Sequence, residues 1–285
     1  MEKDLKIHHE SRRVLTFSAT QKRDPIRKEN SMRLCVPIPC FFPCSNTEQF
    51  IAAIHKCAEL GYRAVETYDW RMLDTAAVKT ALADTGVELC SILVMENRLT
   101  TPACRDLWLS SLKDTCEAAA KMGVKRAITQ VGNDTGAPRE AQHAAIVETL
   151  RAAKPILEQY GVTVMPEPLN IKVNHPGYYL TSAAETFDII REVDSPFVKV
   201  VYDIYHQQVT EGDIIPTVTG NLDLIAHLHS AGHPGRHDLW EGELNYKYIF
   251  DAIDKAGYTG ACGLEYGALG DPVESLRQAM SLYGE

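Results

Sequence analysis

From residue 32 onward the chain alternates short apolar runs with longer segments whose apolar positions recur at helical spacing. The runs are MRLCVPI (32–38), AVETYDW (64–70), ELCSILV (88–94), KRAITQV (125–131), TVMPEPL (163–169), VKVVYDIYH (198–206), LIAHLHSAG (224–232) and ACGLEYG (261–267). Continuous apolar runs bounded by turns mark strands buried on both faces, as in a parallel sheet covered by helices. Helix-like segments fill the gaps, and several stop at a glycine just before the next run: Gly61, Gly86, Gly123, Gly161 and Gly257. Glycine there is the expected αβ stop, because it accepts the left-handed conformation that ends a helix. Eight such units in about 250 residues predict a closed (β/α)8 TIM barrel rather than an open doubly wound sheet. No GxGxxG follows the first strand, and no GxxxxGK followed by Ser or Thr occurs, so nucleotide binding has no support.

The first 31 residues break the pattern. They carry eight Lys or Arg against five Asp or Glu and show no apolar periodicity, so residues 1–31 read as a flexible extension and 32–285 as one catalytic domain. Over the whole chain 29 Lys and Arg face 38 Asp and Glu, a formal charge of −9. That balance argues against duplex nucleic acid, which needs a basic face. No run approaches the ~20 apolar residues that span a bilayer. The eight cysteines form no CxxC pair, and Cys35, Cys40 and Cys44 lack the spacing of a metal knuckle. With no secretory segment at the start, they read as free thiols of a cytoplasmic protein.

In a TIM barrel the C-terminal strand ends face the active site. The last four strands each deliver an acid or imidazole there: Glu167, Asp203 with His206, His229, and Glu265. Singly, each has an ordinary explanation as a helix cap or a satisfied core residue. Together, three carboxylates and one imidazole in one pocket repel or stay unsatisfied without a cation among them. The set suits one exchangeable divalent ion, Mn before Mg, Co or Zn, with positions left open for a substrate to chelate. His227 shares the strand face of His229. His229 is nearer the C-terminal end and is the expected ligand, with His227 a buried donor behind it. The loop GHPGRHDLWEGELNY (232–246) offers Arg236 to clamp a substrate carboxylate or hydroxyl, and Glu66, ending strand 2, is placed to contact the substrate or the groups around the ligands.

EPLN (167–170), GYYLTS (177–182), YDIYHQQ (202–208), PGRHDLWEGELNY (234–246) and GLEY (263–266) resemble the hydroxypyruvate isomerase family of the xylose isomerase-like superfamily, with the tagatose and allulose 3-epimerases as relatives. The resemblance implies a metal on Glu167, Asp203, His229 and Glu265. It implies that Glu167 and Glu265 double as the acid/base pair, and that His206 and Arg236 bind the substrate's polar groups. One departure stands out: those isomerases commonly carry Gln at the strand 7 ligand position, whereas the epimerases carry His, as here. The implied activity is isomerisation or epimerisation of a small α-hydroxy carbonyl substrate, hydroxypyruvate or a ketose, through a metal-stabilised enediolate. Such enzymes also pair as homo-oligomers, with no interface patch legible in this chain. The same superfamily holds metal-dependent lyases (inosose dehydratases and the barrel subunit of C-glycoside-cleaving enzymes), which the motifs leave open. Its three-metal nucleases need histidines ending strands 3 and 4, where SILVMENR and TQVGND have none.

Overall fold

The computed structural model describes residues 31–284, so the extension expected over 1–31 lies outside them except for Ser31. Eight strands follow in order: β1 (Arg33–Pro37), β2 (Ala64–Glu66), β3 (Glu88–Leu89 continued by Ile92–Leu93), β4 (Arg126–Thr129), β5 (Thr163–Pro166), β6 (Val200–Asp203), β7 (Ile225–Ser230) and β8 (Ala261–Leu264). All pair in parallel, and β1 bonds both β2 and β8. β3 changes neighbour along its length, its first run bonding β2 and its second β4. The pairs β4–β5, β6–β7 and β7–β8 continue the ring. The last gap is closed where the N–H of Val164 bonds the carbonyl of Phe197 at 2.9 Å and that of Lys199 returns to Val164 at 3.1 Å. The result is the predicted (β/α)8 barrel.

Each predicted run contains its strand, but the strands end sooner than the apolar runs. The clearest case is 198–206. The strand stops at Asp203 and a helix, Ile204–Thr210, begins at once, because the Asp203 side chain accepts the N–H groups of Tyr205 and His206 and caps it. The helices that precede β3, β4 and β5 end on Gly86, Gly123 and Gly161 with φ of 66°, 81° and 61°. Packing fixes the helices outside the ring. Trp108, on the helix Arg105–Met122, is fully buried and its Nε1 donates to Thr129 Oγ1 at 3.1 Å, tying that helix to the end of β4. Burying such a side chain contributes roughly 1.5–3 kcal/mol. Among the described residues no helix is long and apolar enough to cross a membrane.

Inside the ring the side chains are uneven in size. Cys35, Ala64, Cys90 and Ala261 form one small buried cluster, whereas Ile128, Met165 and Val201 form another on the facing strands. The imidazoles of His227 and His229, both from β7, lie 5.0 Å apart in an edge-on pair. They occupy the interior that the small side chains of β1, β2 and β8 leave open.

Candidate metal centre and active site

Sheet register sets the depth of the site. Asp203 on β6 lies opposite His229 on β7, and His229 lies opposite Gly263 on β8. Glu167 and Glu265 each stand one residue beyond their strand. Their N–H groups bond Thr129 O (3.2 Å) and Ser230 O (2.9 Å), so both glutamates start their loops on fixed backbone. The arrangement brings one ligand-capable atom from each of Glu167, Asp203, His229 and Glu265 within 4.8 Å of one another. These are the four residues expected from the sequence.

Their side chains are poor partners for one another. His229 Nδ1 lies 3.2 Å from Glu167 Oε1 and 3.0 Å from Glu265 Oε2. Arg236 Nη2 is 2.8 Å from Glu265 Oε2 and 3.8 Å from Asp203 Oδ2. Asp203 is divided: Oδ1 caps the helix that follows it, accepting from Tyr205 N at 2.7 Å, while Oδ2 is buried with no hydrogen bond. Glu265 Oε2 also lacks an aligned hydrogen bond although two cationic groups lie near it, because closeness without a good angle makes an ion pair only.

The electrostatics follow from burial and like charge. Burial pushes the Asp203 carboxyl up, the Glu265 charge adds to it, and the group sits at about 6 despite Arg236. Burial likewise raises Glu167, with Glu265 and Asp203 opposing the relief that His229 brings. Glu265 resists burial because His229 and Arg236 hold it well below the usual carboxylate range. Burial works against a charge on His229, but Glu66 and Glu265 outweigh it and keep the ring protonated. Several carboxylates thus compete for too little positive charge, the condition a divalent ion relieves.

His206 sits on the first turn of the helix after β6. Its Nδ1 accepts from Asn170, from the backbone N–H at 3.2 Å and the side-chain amide at 2.7 Å. Two donors at Nδ1 place the ring proton on Nε2, which is buried, unbonded and 3.6 Å from Asp203 Oδ2. Burial lowers the His206 pKa to about 3, so the ring is neutral and offers Nε2–H to the site. Arg236, with φ of 58°, stacks 5.5 Å from the Tyr205 ring and reaches the cluster from the loop after β7.

Of the two places expected for Glu66, the structure gives it the one among the groups around the ligands. A substrate contact needs access, and its carboxylate is completely buried beneath the cluster, accepting from Ser91 Oγ at 2.7 Å and facing His227 Nε2 at 2.9 Å. The side chain beside the cavity is Tyr68 instead, whose hydroxyl donates to Glu265 Oε1 at 2.8 Å. It stands two residues after Glu66, and strand alternation could have pointed to it. Asn170 was visible only as part of EPLN, with no sign that it would set the His206 tautomer. Tyr68, Cys40, Arg236 and Glu265 line a cavity of about 330 Å³ at this end of the barrel.

A family model described as the xylose isomerase-like TIM barrel matches residues 54–283. The chain is 31% identical to the hydroxypyruvate isomerase of Escherichia coli over 229 residues, covering 76% of this chain and 87% of that protein. It is 38% identical to the 2-oxo-tetronate isomerase of Cupriavidus necator over 130 residues, 46% of this chain and 50% of the relative. A solved structure described as a family 2 AP endonuclease from Brucella melitensis superposes with a TM-score of 0.81 at 24% identity, covering 89% of this chain and all of the other. At that identity the likeness concerns the fold alone.

Proposed function

Because the chain belongs to the xylose isomerase-like TIM-barrel family, as an isomerase or epimerase of the hydroxypyruvate isomerase kind, we propose that it moves a proton beside the carbonyl of a small hydroxy-keto acid or ketose. We further propose that one divalent cation works with the protein there, held by Glu167, Asp203, His229 and Glu265. The observation that carries this reading is the convergence of those four groups within 4.8 Å, with Asp203 Oδ2 buried and unpaired. An oxygen-rich set with one imidazole fits Mn or Mg better than a thiolate-seeking metal. When bound, such an ion supplies Lewis-acid stabilisation of the negative charge that develops on the substrate oxygens.

The remaining work belongs to the side chains. Glu167 from β5 and Glu265 from β8 flank the cluster from different strands. One carboxylate takes the C–H proton and the substrate is left as an enediolate. Return of a proton to the neighbouring carbon, with the hydroxyl proton passing between the two oxygens, gives isomerisation. Delivery to the opposite face of the same carbon by the other glutamate gives epimerisation. Tyr68 and Arg236 hold Glu265 in place from two sides, and Arg236 also offers its guanidinium to a substrate carboxylate or hydroxyl. His206 donates its fixed Nε2–H to a substrate oxygen. Eight free thiols agree with a reducing, cytoplasmic setting.

The test combines elemental analysis with activity after EDTA treatment and restoration by Mn, Mg, Co or Zn. Hydroxypyruvate, 2-oxo-tetronate and a panel of ketoses would be incubated in heavy water. One metal per chain and metal-dependent deuterium uptake beside the carbonyl are expected. Water loss without exchange would point to a lyase, and failure to bind any metal would remove the reading.

A further inference from the structure

We propose that Glu66 is a positioning residue for His229, gripping the imidazole by the nitrogen remote from the cluster so that the other nitrogen meets the cation; this rests on the metal reading above. The two ring nitrogens face opposite ways. Nδ1 points to Glu167 and Glu265, whereas Nε2 lies 3.2 Å from Glu66 Oε1 and 3.3 Å from Oε2. A nitrogen that ligates a metal gives up its proton, so the proton of the neutral ring stays on the other one. In a buried site that N–H needs a protein acceptor, and a carboxylate in this place fixes the tautomer and makes the ligand more basic.

Glu66 is itself held. Ser91 Oγ donates to its Oε2 at 2.7 Å, and His227 Nε2 lies 2.9 Å from the same oxygen. Its Oε1 has no aligned hydrogen bond and is the oxygen nearest His229. The neighbouring strand is shaped for the contact. A Cβ at Gly263 would stand 2.2 Å from Glu66 Oε1 and 2.7 Å from His229 Cδ2, so any larger residue there would drive the pair apart. Glycine at this point of β8 is therefore explained by the close approach of two side chains rather than by backbone conformation. Glu66, His227 and His229 are also spaced as a cation site of their own. Against that, Ser91 Oγ already donates to Glu66 Oε2, and His229 turns its other nitrogen to Glu167 and Glu265, which leaves Nε2 as the proton-bearing side.

The EDTA-treated full chain would be titrated with Mn²⁺ alone, reading free Mn²⁺ by electron paramagnetic resonance, with folding followed by circular dichroism. The unaltered protein is expected to bind one ion. Glu66→Gln should still bind one, about 10- to 100-fold more weakly. Gly263→Ala should weaken binding in the same direction by pushing on the pair from β8. A folded Glu66→Gln protein with unchanged Mn²⁺ affinity would overturn the proposal while leaving the metal reading intact. Two ions on the unaltered protein, one lost in Glu66→Gln, would make Glu66 a ligand and overturn it also. No ion on the unaltered protein would remove both. The histidine ¹⁵N spectrum of the unaltered, Mg²⁺-loaded protein needs no variant to fold: His229 should carry its proton on Nε2, and a proton on Nδ1 would sink the idea.

Discussion

The two ends of this barrel hold charge in opposite ways. At the N-terminal end Glu88 meets Arg33 through one oxygen at 2.7 Å and Arg126 through the other at 3.3 Å. Both carboxylate oxygens are matched, and water reaches all three side chains. At the C-terminal end three carboxylates share His229 and Arg236, and Asp203 Oδ2 is buried with nothing to accept. The N-terminal end also opens on the larger hollow, about 400 Å³ lined by Arg126, Lys199 and Tyr258 among others, against about 330 Å³ at the cluster. Volume alone would choose the N-terminal end. What separates them is that the N-terminal cluster closes on itself, whereas the C-terminal one leaves buried carboxylate oxygens without a hydrogen bond.

The contrast can be broken or sharpened by experiment. The largest effect is expected from Glu167→Gln, which should lower kcat/KM by about 10²–10⁴-fold if the glutamate transfers a proton. Asp203→Asn should likewise abolish tight Mn²⁺ binding. Asparagine keeps the oxygen that caps Ile204–Thr210, so the EDTA-treated variant should melt no lower than the unaltered protein, and higher if relief of repulsion dominates. A large loss of melting temperature would mean that the cluster is structural after all.

Next in size is the response to metal. Mn²⁺ at a hundred times its Kd should stabilise the unaltered chain by about 2.7 kcal/mol. At roughly 2–4 °C per kcal/mol for a domain approaching this size, that is a rise of about 5–10 °C in a thermal melt. Asp203→Asn should lose the rise and Glu88→Gln should keep it.

The pH dependence of the EDTA-treated protein should be smaller and opposite in sign at the two ends. Asp203 titrates at about 6 when folded, above its unfolded value, so the folded state holds the extra proton between about 4 and 6. Stability should therefore fall as pH rises through that window, and Asp203→Asn should flatten this part of the profile. For Glu88, burial raises the carboxyl, but the bonds from Arg33 and Arg126 outweigh it and lower it overall. Its contribution is present above the ordinary carboxylate range and lost as pH falls through its depressed value. Melting temperatures between pH 3 and 7 would separate the two. The smallest effect is Glu88→Gln at neutral pH, within about 1 kcal/mol, since its ion pairs are partly exposed. A loss well beyond that would show the N-terminal cluster to be more than a solvated brace.

The eight-strand alternation, the glycine stops and the depth of Glu167, Asp203, His229 and Glu265 were legible in the amino-acid sequence, because burial on both faces leaves continuous apolar runs and strand ends share one side of the barrel. Asp203 shows where that legibility stops. Helix cap and candidate ligand are rival explanations in a sequence, yet one carboxylate does the first with Oδ1 and has Oδ2 free for the second. Glu66 shows it again: its position at the end of β2 left both the substrate and the groups around the ligands open, and its direction depends on Ser91, His227, His229 and the missing Cβ of Gly263. Periodicity along a strand reports which face a side chain takes and how deep it lies. Which groups it meets there is decided by other chain segments, those of His227 and His229 more than 160 residues away, and only closure of the barrel brings Glu66 to His229.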